Sequence, residues 1–240
     1  MDVQELFHPV DKGSSTDVFK DVLMQVIYNI KQGNLNPGDS LPPERALAET
    51  LGISRPVLRE VLKSLELIGV VKAVHGSGNH IADNLDTCLI KPMTVMFELM
   101  NSNLQEISEL RAALEIKLST LAAEKCSGLN AAELAVIYEK MKTATDIETK
   151  IKYDQEFHRK IAEIADNRIL NAISLAANGM ISDLIVKYHT ITMGDESRKA
   201  EFIRVHKDII NGIVTHDKQA VNLAMSEHMH LLDLALNRKN

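Results

Sequence analysis

The stretch 53-ISRPVLREVLKSLELIGVV-71, continued by 72-KAVHGSGNHI-81, decides how this sequence reads. Leu58, Val61, Leu62 and Leu65 recur at helical period and mark a buried stripe. Ser54 stands where an N-cap belongs, and Gly69 ends the helix. After it, GVVKAV and NHI read as two short strands around a tip of His75, Gly76, Ser77 and Gly78. The helix also carries Arg55, Arg59 and Lys63, with Lys72 following, against only Glu60 and Glu66. That local excess of positive charge sits in a chain of net charge −6. A solvated helix face would account for it; so would an anionic partner.

The neighbouring sequence favours the partner. Ser40 and the pair Pro42-Pro43 open a short helix, PERALAETLG, which Gly52 closes. Two helices joined by LGIS, the second amphipathic, form a helix-turn-helix. A helix fits the major groove and offers its N-terminal residues to base edges. Arg55 lies one residue past the cap, and Arg59 lies one turn on, on the same face. The glycine-flanked hairpin tip would serve as a wing. Upstream, Thr16 is a candidate cap for a helix whose apolar face is Val18, Val22, Leu23, Val26, Ile27 and Ile30. Gly33 ends it.

The chain has 240 residues and 45% hydrophobic content, enough for two modest domains with separate cores. Whole-chain basic charge is absent, so any nucleic-acid contact must be local. Cys88 and Cys126 have no metal-knuckle spacing and form no disulfide framework, which suits a reducing cytoplasm. The N-terminus carries no secretion signal, and no stretch approaches the roughly 20 apolar residues of a membrane span. Five of the six prolines fall in the first 82 residues. From about residue 86 the texture becomes helix-forming throughout. The expected organisation is a DNA-binding domain over 1–82, a linker over 83–86 and an all-helical domain over 87–240. Helices are expected over 87–101, 104–127, 130–145, 147–166, 168–191, 196–214 and 217–237. Asn130 with Glu133 suggests a capping box, and Asp195 and Asp217 are plausible N-caps. The fold class is mostly α: a winged helix-turn-helix followed by an all-α bundle.

In the second half, Asp154 and His158 are four residues apart and share a helix face. His206 and His228, on later helices, could close a core site with them. Three imidazoles and one carboxylate suit zinc, nickel, manganese or iron. The alternative is a set of ordinary surface or core histidines. Glu227 and His230 have the ExxH spacing of di-iron bundles, but only one copy occurs where such a site needs two. That leaves a helical-bundle metalloenzyme with a DNA-binding module as a distant alternative.

The run 40-SLPPERALAETLGISRPVLREVLKSLELIGVVKAVHGSGNHI-81 resembles the winged helix-turn-helix of GntR-type bacterial regulators. The segments 109-ELRAALEIKLSTLAAE-124, 153-YDQEFHRKIAEIADN-167, 202-FIRVHKDIINGI-213 and 224-AMSEHMHLL-232 are similar to the all-helical (FCD) domain of the FadR-type branch. The resemblance implies a cytoplasmic regulator, most often a repressor and not an enzyme, that binds an operator palindrome as a homodimer. It implies that Arg45, Ser54, Arg55 and Arg59 meet bases or phosphates, with His75 and Gly76 at the wing tip. It further implies a divalent metal ion, such as zinc, nickel or manganese, held by Asp154, His158, His206 and His228. A small organic acid would bind beside it, and Arg111 would take the carboxylate bidentately. Arg111 could instead form a surface ion pair with Glu115. The fatty-acyl-CoA-binding member of the branch lacks this histidine set, which favours a small acid. A metal-free pocket for an acyl-CoA or other ligand is the remaining alternative.

Overall fold

A computed structural model describes residues 3–10, 14–84, 90–180 and 182–237. Its contacts divide into two units, residues 1–92 and 93–240. The expected linker at 83–86 falls partly outside the described residues, as does Cys88.

The first unit begins with a one-turn helix, α1 (Val3–Leu6), which the sequence reading did not anticipate. Four residues are too few to show a period. The turn is fixed by burial: Leu6, Phe7 and Val10 sink into the core of this unit. Helix α2 (Ser15–Lys31) starts two residues earlier than Thr16 would have it. Ser14 is the N-cap, and it forms a capping box with Asp17. Val18, Val22 and Val26 are its most buried residues.

Helices α3 (Glu44–Leu51) and α4 (Arg55–Leu67) form the helix-turn-helix. Gly52 makes the turn at φ +71°, a left-handed conformation that glycine adopts without steric cost. Ser54 occupies the N-cap position of α4 with extended backbone, but its side chain makes no capping hydrogen bond. The stripe Leu58, Val61, Leu62 and Leu65 is buried as its spacing predicts. Each such side chain contributes about 1.5–3 kcal/mol on leaving water. Strands β1 (Val71–Val74) and β2 (Gly78–Ile81) pair antiparallel, with Val71 opposite Ile81 and Val74 opposite Gly78. Residues 38–41 add an edge to β2 through Leu41 N–H to Asn79 O at 2.7 Å and Ile81 N–H to Asp39 O at 2.8 Å.

Helix α5 (Ile90–Leu99) buries none of its residues. The second unit is then built from α6 (Leu104–Lys125), α7 (Gly128–Thr143), α8 (Ile147–Ala165), α9 (Arg168–Met180), α10 (Ser182–Met193), α11 (Glu196–Val214) and α12 (Lys218–Asn237). The helix expected over 168–191 is described as α9 and α10, on either side of residue 181. The start of α7 also differs from expectation. Ser127 caps it in a box with Asn130, rather than Asn130 with Glu133, because Ser127 already satisfies the first free N–H groups. Asp195 and Asp217 cap α11 and α12 as read.

Helix α6 packs against α8, α9, α11 and α12. Phe157, Ile161, Phe202, Val205, Ile209, Val221 and Met225 fill the space between them. Helices α11 and α12 approach so closely that only glycine fits at position 212. A Cβ there would lie 2.8 Å from the backbone nitrogen of Val221. No helix among the described residues is long and apolar enough to cross a membrane.

Candidate metal centre and nucleic-acid interface

Helix α8 carries Asp154 and His158 inward on one face, one turn apart. His206 comes from α11 and His228 from α12. All four side chains are buried, and one ligand atom from each lies within 4.8 Å of the others. His206 Nε2 is 2.9 Å from Asp154 Oδ1, and His158 Nε2 is 3.1 Å from His228 Nε2. His158 Nε2 is 3.9 Å from the same Asp154 oxygen.

The outer nitrogens fix the tautomers. His158 Nδ1–H donates to Glu115 Oε2 at 2.9 Å, and His206 Nδ1–H donates to the Phe202 carbonyl at 2.8 Å. In the neutral ring each Nε2 then presents a lone pair inward. His206 Nε2 stands 2.9 Å from a carboxylate oxygen, a separation that needs either a proton or a metal cation between the two atoms. His228 tells the same story. Burial, with His206 and His158 beside it, pushes its pKa well below the usual histidine value, so it is a neutral donor. Burial opposes ionisation of Asp154, but the charge and hydrogen bond of His189, the hydrogen bond of His206 and the charge of His158 outweigh that. Its carboxyl is held well below the usual range. For Glu115, burial is likewise overcome by His158, which brings the carboxyl to about 2. Three buried imidazoles, one ionised carboxylate and an outer carboxylate orienting one ring are the donor set of a divalent metal site.

A cavity of about 350 Å³ adjoins this cluster, lined by Arg111, Asp154, His158, Asn171, Ser174 and Asn178 among others. Arg111 is 4% exposed, which rules out the surface ion pair considered for it. Glu115 is engaged elsewhere, by His158, by the Ser174 hydroxyl at 3.0 Å and by Asn178 Nδ2 at 3.3 Å. Arg111 Nε has no hydrogen-bond partner among the described residues, and neither does Asn178 Oδ1. A buried guanidinium with an unmet N–H beside a cavity can hydrogen-bond an anion.

Sequence reading considered Glu115 only as a surface partner of Arg111 and did not reach Ser174, Asn178 or His189, whose partners come only from the tertiary fold. The Asn171 and Ser174 spacing on α9 carries no signal of its own. The ExxH pair is not a site: Glu227 and His230 are exposed, and Glu227 pairs with Arg204 at 2.5 Å.

In the first unit the arginines of α4 are exposed. Glu44, from the first turn of α3, holds both with one oxygen. Its Oε2 is 2.8 Å from Arg59 Nε and 3.9 Å from an Arg55 terminal nitrogen. Arg45 pairs with Glu49 at 3.1 Å. Ser54, with its hydroxyl uncommitted to the cap, lies beside Arg55 at the open start of α4. His75 and Gly76 sit exposed at the hairpin tip, where Gly76 turns at φ +77°.

A helix-turn-helix with exposed arginines at the start of its second helix, followed by a two-stranded wing, defines a DNA-binding transcription regulator. Residues 20–81 match the family described as bacterial regulatory proteins, gntR family, and residues 106–231 match the FCD domain. The chain belongs to the GntR family of regulators with an FCD domain, and such proteins are regulators and not enzymes. It is 32% identical to the HTH-type transcriptional regulator YcbG of Bacillus subtilis, over 92% of this chain and 90% of that one. It is 26% identical to the HTH-type transcriptional regulator LutR of the same organism, over 83% and 92% of the two chains. In fold it is similar to a GntR protein of Streptococcus agalactiae, with a TM-score of 0.70 at 21% identity, covering 95% of this chain and 100% of that one.

Proposed function

We propose that this regulator acts as a homodimer in the cytoplasm, where it senses a small organic acid at a metal centre. Asp154, His158, His206 and His228 would hold one divalent ion, with zinc, nickel or manganese suited to the donors. Such an ion supplies a Lewis-acidic point for a ligand oxygen. Arg111 takes the carboxylate of the effector through its unmet Nε–H, at the wall of the adjoining cavity. The supporting observation is the buried group itself: one ligand atom from each of Asp154, His158, His206 and His228 lies within 4.8 Å of the others.

On the DNA side, Arg55, Arg59 and Ser54 would enter the major groove. Arg45 would approach the backbone, with His75 and Gly76 at the wing. The dimer would match a palindromic operator, and the acid would relieve repression by favouring a dimer geometry that fits the half-sites poorly. An effector can shift this balance only by binding the two geometries unequally.

Native mass spectrometry with elemental analysis of the purified protein tests the sensor. A dimer with about one divalent ion per chain is the expected result. A metal-free protein, even after incubation with zinc, nickel and manganese, would remove the metal from the reading and leave the DNA-binding half.

A further inference from the structure

We propose that His189, on α10, is a positioning residue for the metal centre: it holds the outer oxygen of Asp154 so that only the inner oxygen faces the site. The inference rests on the metal centre proposed above.

The two oxygens of Asp154 have different surroundings. Oδ1 lies 2.9 Å from His206 Nε2 and 3.9 Å from His158 Nε2, inside the ligand cage. Oδ2 lies 3.2 Å from His189 Nε2. An ionised carboxylate only accepts hydrogen bonds, so His189 Nε2 carries the proton and donates it there. The other ring nitrogen, Nδ1, is buried without a hydrogen-bond partner among the described residues. The ring therefore has a single polar engagement, and that engagement is with a candidate ligand.

Packing fixes the ring in this pose. His189 is 1% exposed. Tyr188 and Phe202 stand edge-on to it, with centroids 5.5 and 5.3 Å away. It comes from a fourth helix and is not one of the four residues of the ligand group. A carboxylate free to rotate can offer an ion both oxygens and occupy two coordination positions. With Oδ2 tied to His189, Asp154 offers one, and a further position stays open for an oxygen of the effector. His189 thus sets how much of the ion's coordination the protein leaves to its ligand. A histidine that merely filled the core would be indifferent to the ion.

The test uses cobalt(II) added to metal-stripped, full-length protein. Affinity is read by chelator competition and coordination by visible absorption. His189→Leu and His189→Phe remove the donor, whereas His189→Gln keeps an N–H at the same reach. With all variants folded by circular dichroism, we expect the Leu and Phe proteins to lose cobalt affinity by about 10–100-fold, while Gln stays within about threefold of the parent. The Leu and Phe spectra should weaken as the second Asp154 oxygen joins the ion, and the Gln spectrum should match the parent. Parent-like affinity and spectrum in Leu or Phe would make His189 a plain core residue. A Gln protein as weak as Leu would make it a ligand rather than a positioner. A folded parent that takes no cobalt would overturn the metal centre itself, and this inference with it.

Discussion

Gly212→Ala is the sharpest single perturbation of the second unit. Its added methyl would meet the Val221 nitrogen at 2.8 Å and the Val221 Cα and Cβ at 3.0 Å. These are backbone and near-backbone atoms, so no side-chain rotation relieves the clash. Helices α11 and α12 must separate by roughly 0.5–1 Å, and overpacking of this kind costs about 1–3 kcal/mol. Alanine recovers about 1 kcal/mol as the better helix former. The net expectation is a loss of up to about 2 kcal/mol, seen as a lower urea midpoint with an unchanged slope. The same two helices carry His206 and His228, whose rings stand 4.5 Å apart. Parting them should weaken divalent-metal binding as well, measured by chelator competition with zinc. A variant with the parent's midpoint and the parent's zinc affinity would refute the close-approach argument.

Four further outcomes are expected. Arg55→Ala and Arg59→Ala should each weaken operator binding by about 1–3 kcal/mol in a gel-shift titration; parent-like binding in both would remove α4 from the groove. Stripping divalent metal with a chelator should lower the melting temperature, and restoring zinc, nickel or manganese should raise it again, because an ion that binds only the folded state stabilises it. Arg111→Ala should abolish stabilisation by small carboxylic acids in a thermal-shift screen while leaving metal content unchanged. Lys150→Met should stabilise the fold by about 1–3 kcal/mol, since the Lys150 Nζ is buried without a hydrogen-bond partner among the described residues and lies over the Phe202 ring, 5.8 Å from its centroid. Burial, and then Lys199 nearby, lower the pKa of that amine from 10.5. The penalty in the parent is present below the lowered folded value, fades as the pH climbs from there towards 10.5, and is gone above 10.5, where both states have lost the proton. The gain from methionine should fade over the same range.

The helix-turn-helix was legible because its signals are local. Pro42, Pro43, Gly52, Ser54 and Gly69 punctuate the chain within a few residues of the elements they bound, and the Leu58 stripe needs only one helix to be seen. Helix α1 escaped because its cause is distant: Asn29 of α2 donates to the Leu6 carbonyl, and Val10 N–H donates to the Leu51 carbonyl of α3. Caps were read a few residues off where two candidates competed, at Ser14 against Thr16 and at Ser127 against Asn130. At the first, Asp17 answers Ser14 whereas Phe19 cannot answer Thr16; at the second both candidates had a partner three positions on, and the earlier residue, Ser127, became the cap. The Asp154 and His158 pair shows in the sequence through its four-residue spacing. That His206 and His228 face it is a property of how α11 and α12 cross. His189 sits in the apolar run 185-IVKYHTITM-193, where a single imidazole gives no hint of a partner 35 residues earlier.

The Glu44 contact alters how the protein meets a polyanion. Arg55 and Arg59 share one carboxylate oxygen, so the pair and its clamp present one net positive charge rather than two. Each phosphate neutralised by a free cation releases about 0.9 of a condensed counterion from duplex DNA. A clamped pair that keeps Glu44 close would release about 0.9 in total where two free arginines would release about 1.8. The α4 contacts should therefore fade less steeply with ionic strength than their two arginines suggest. Removing the carboxylate would trade that salt tolerance for stronger, less discriminating attraction to any duplex.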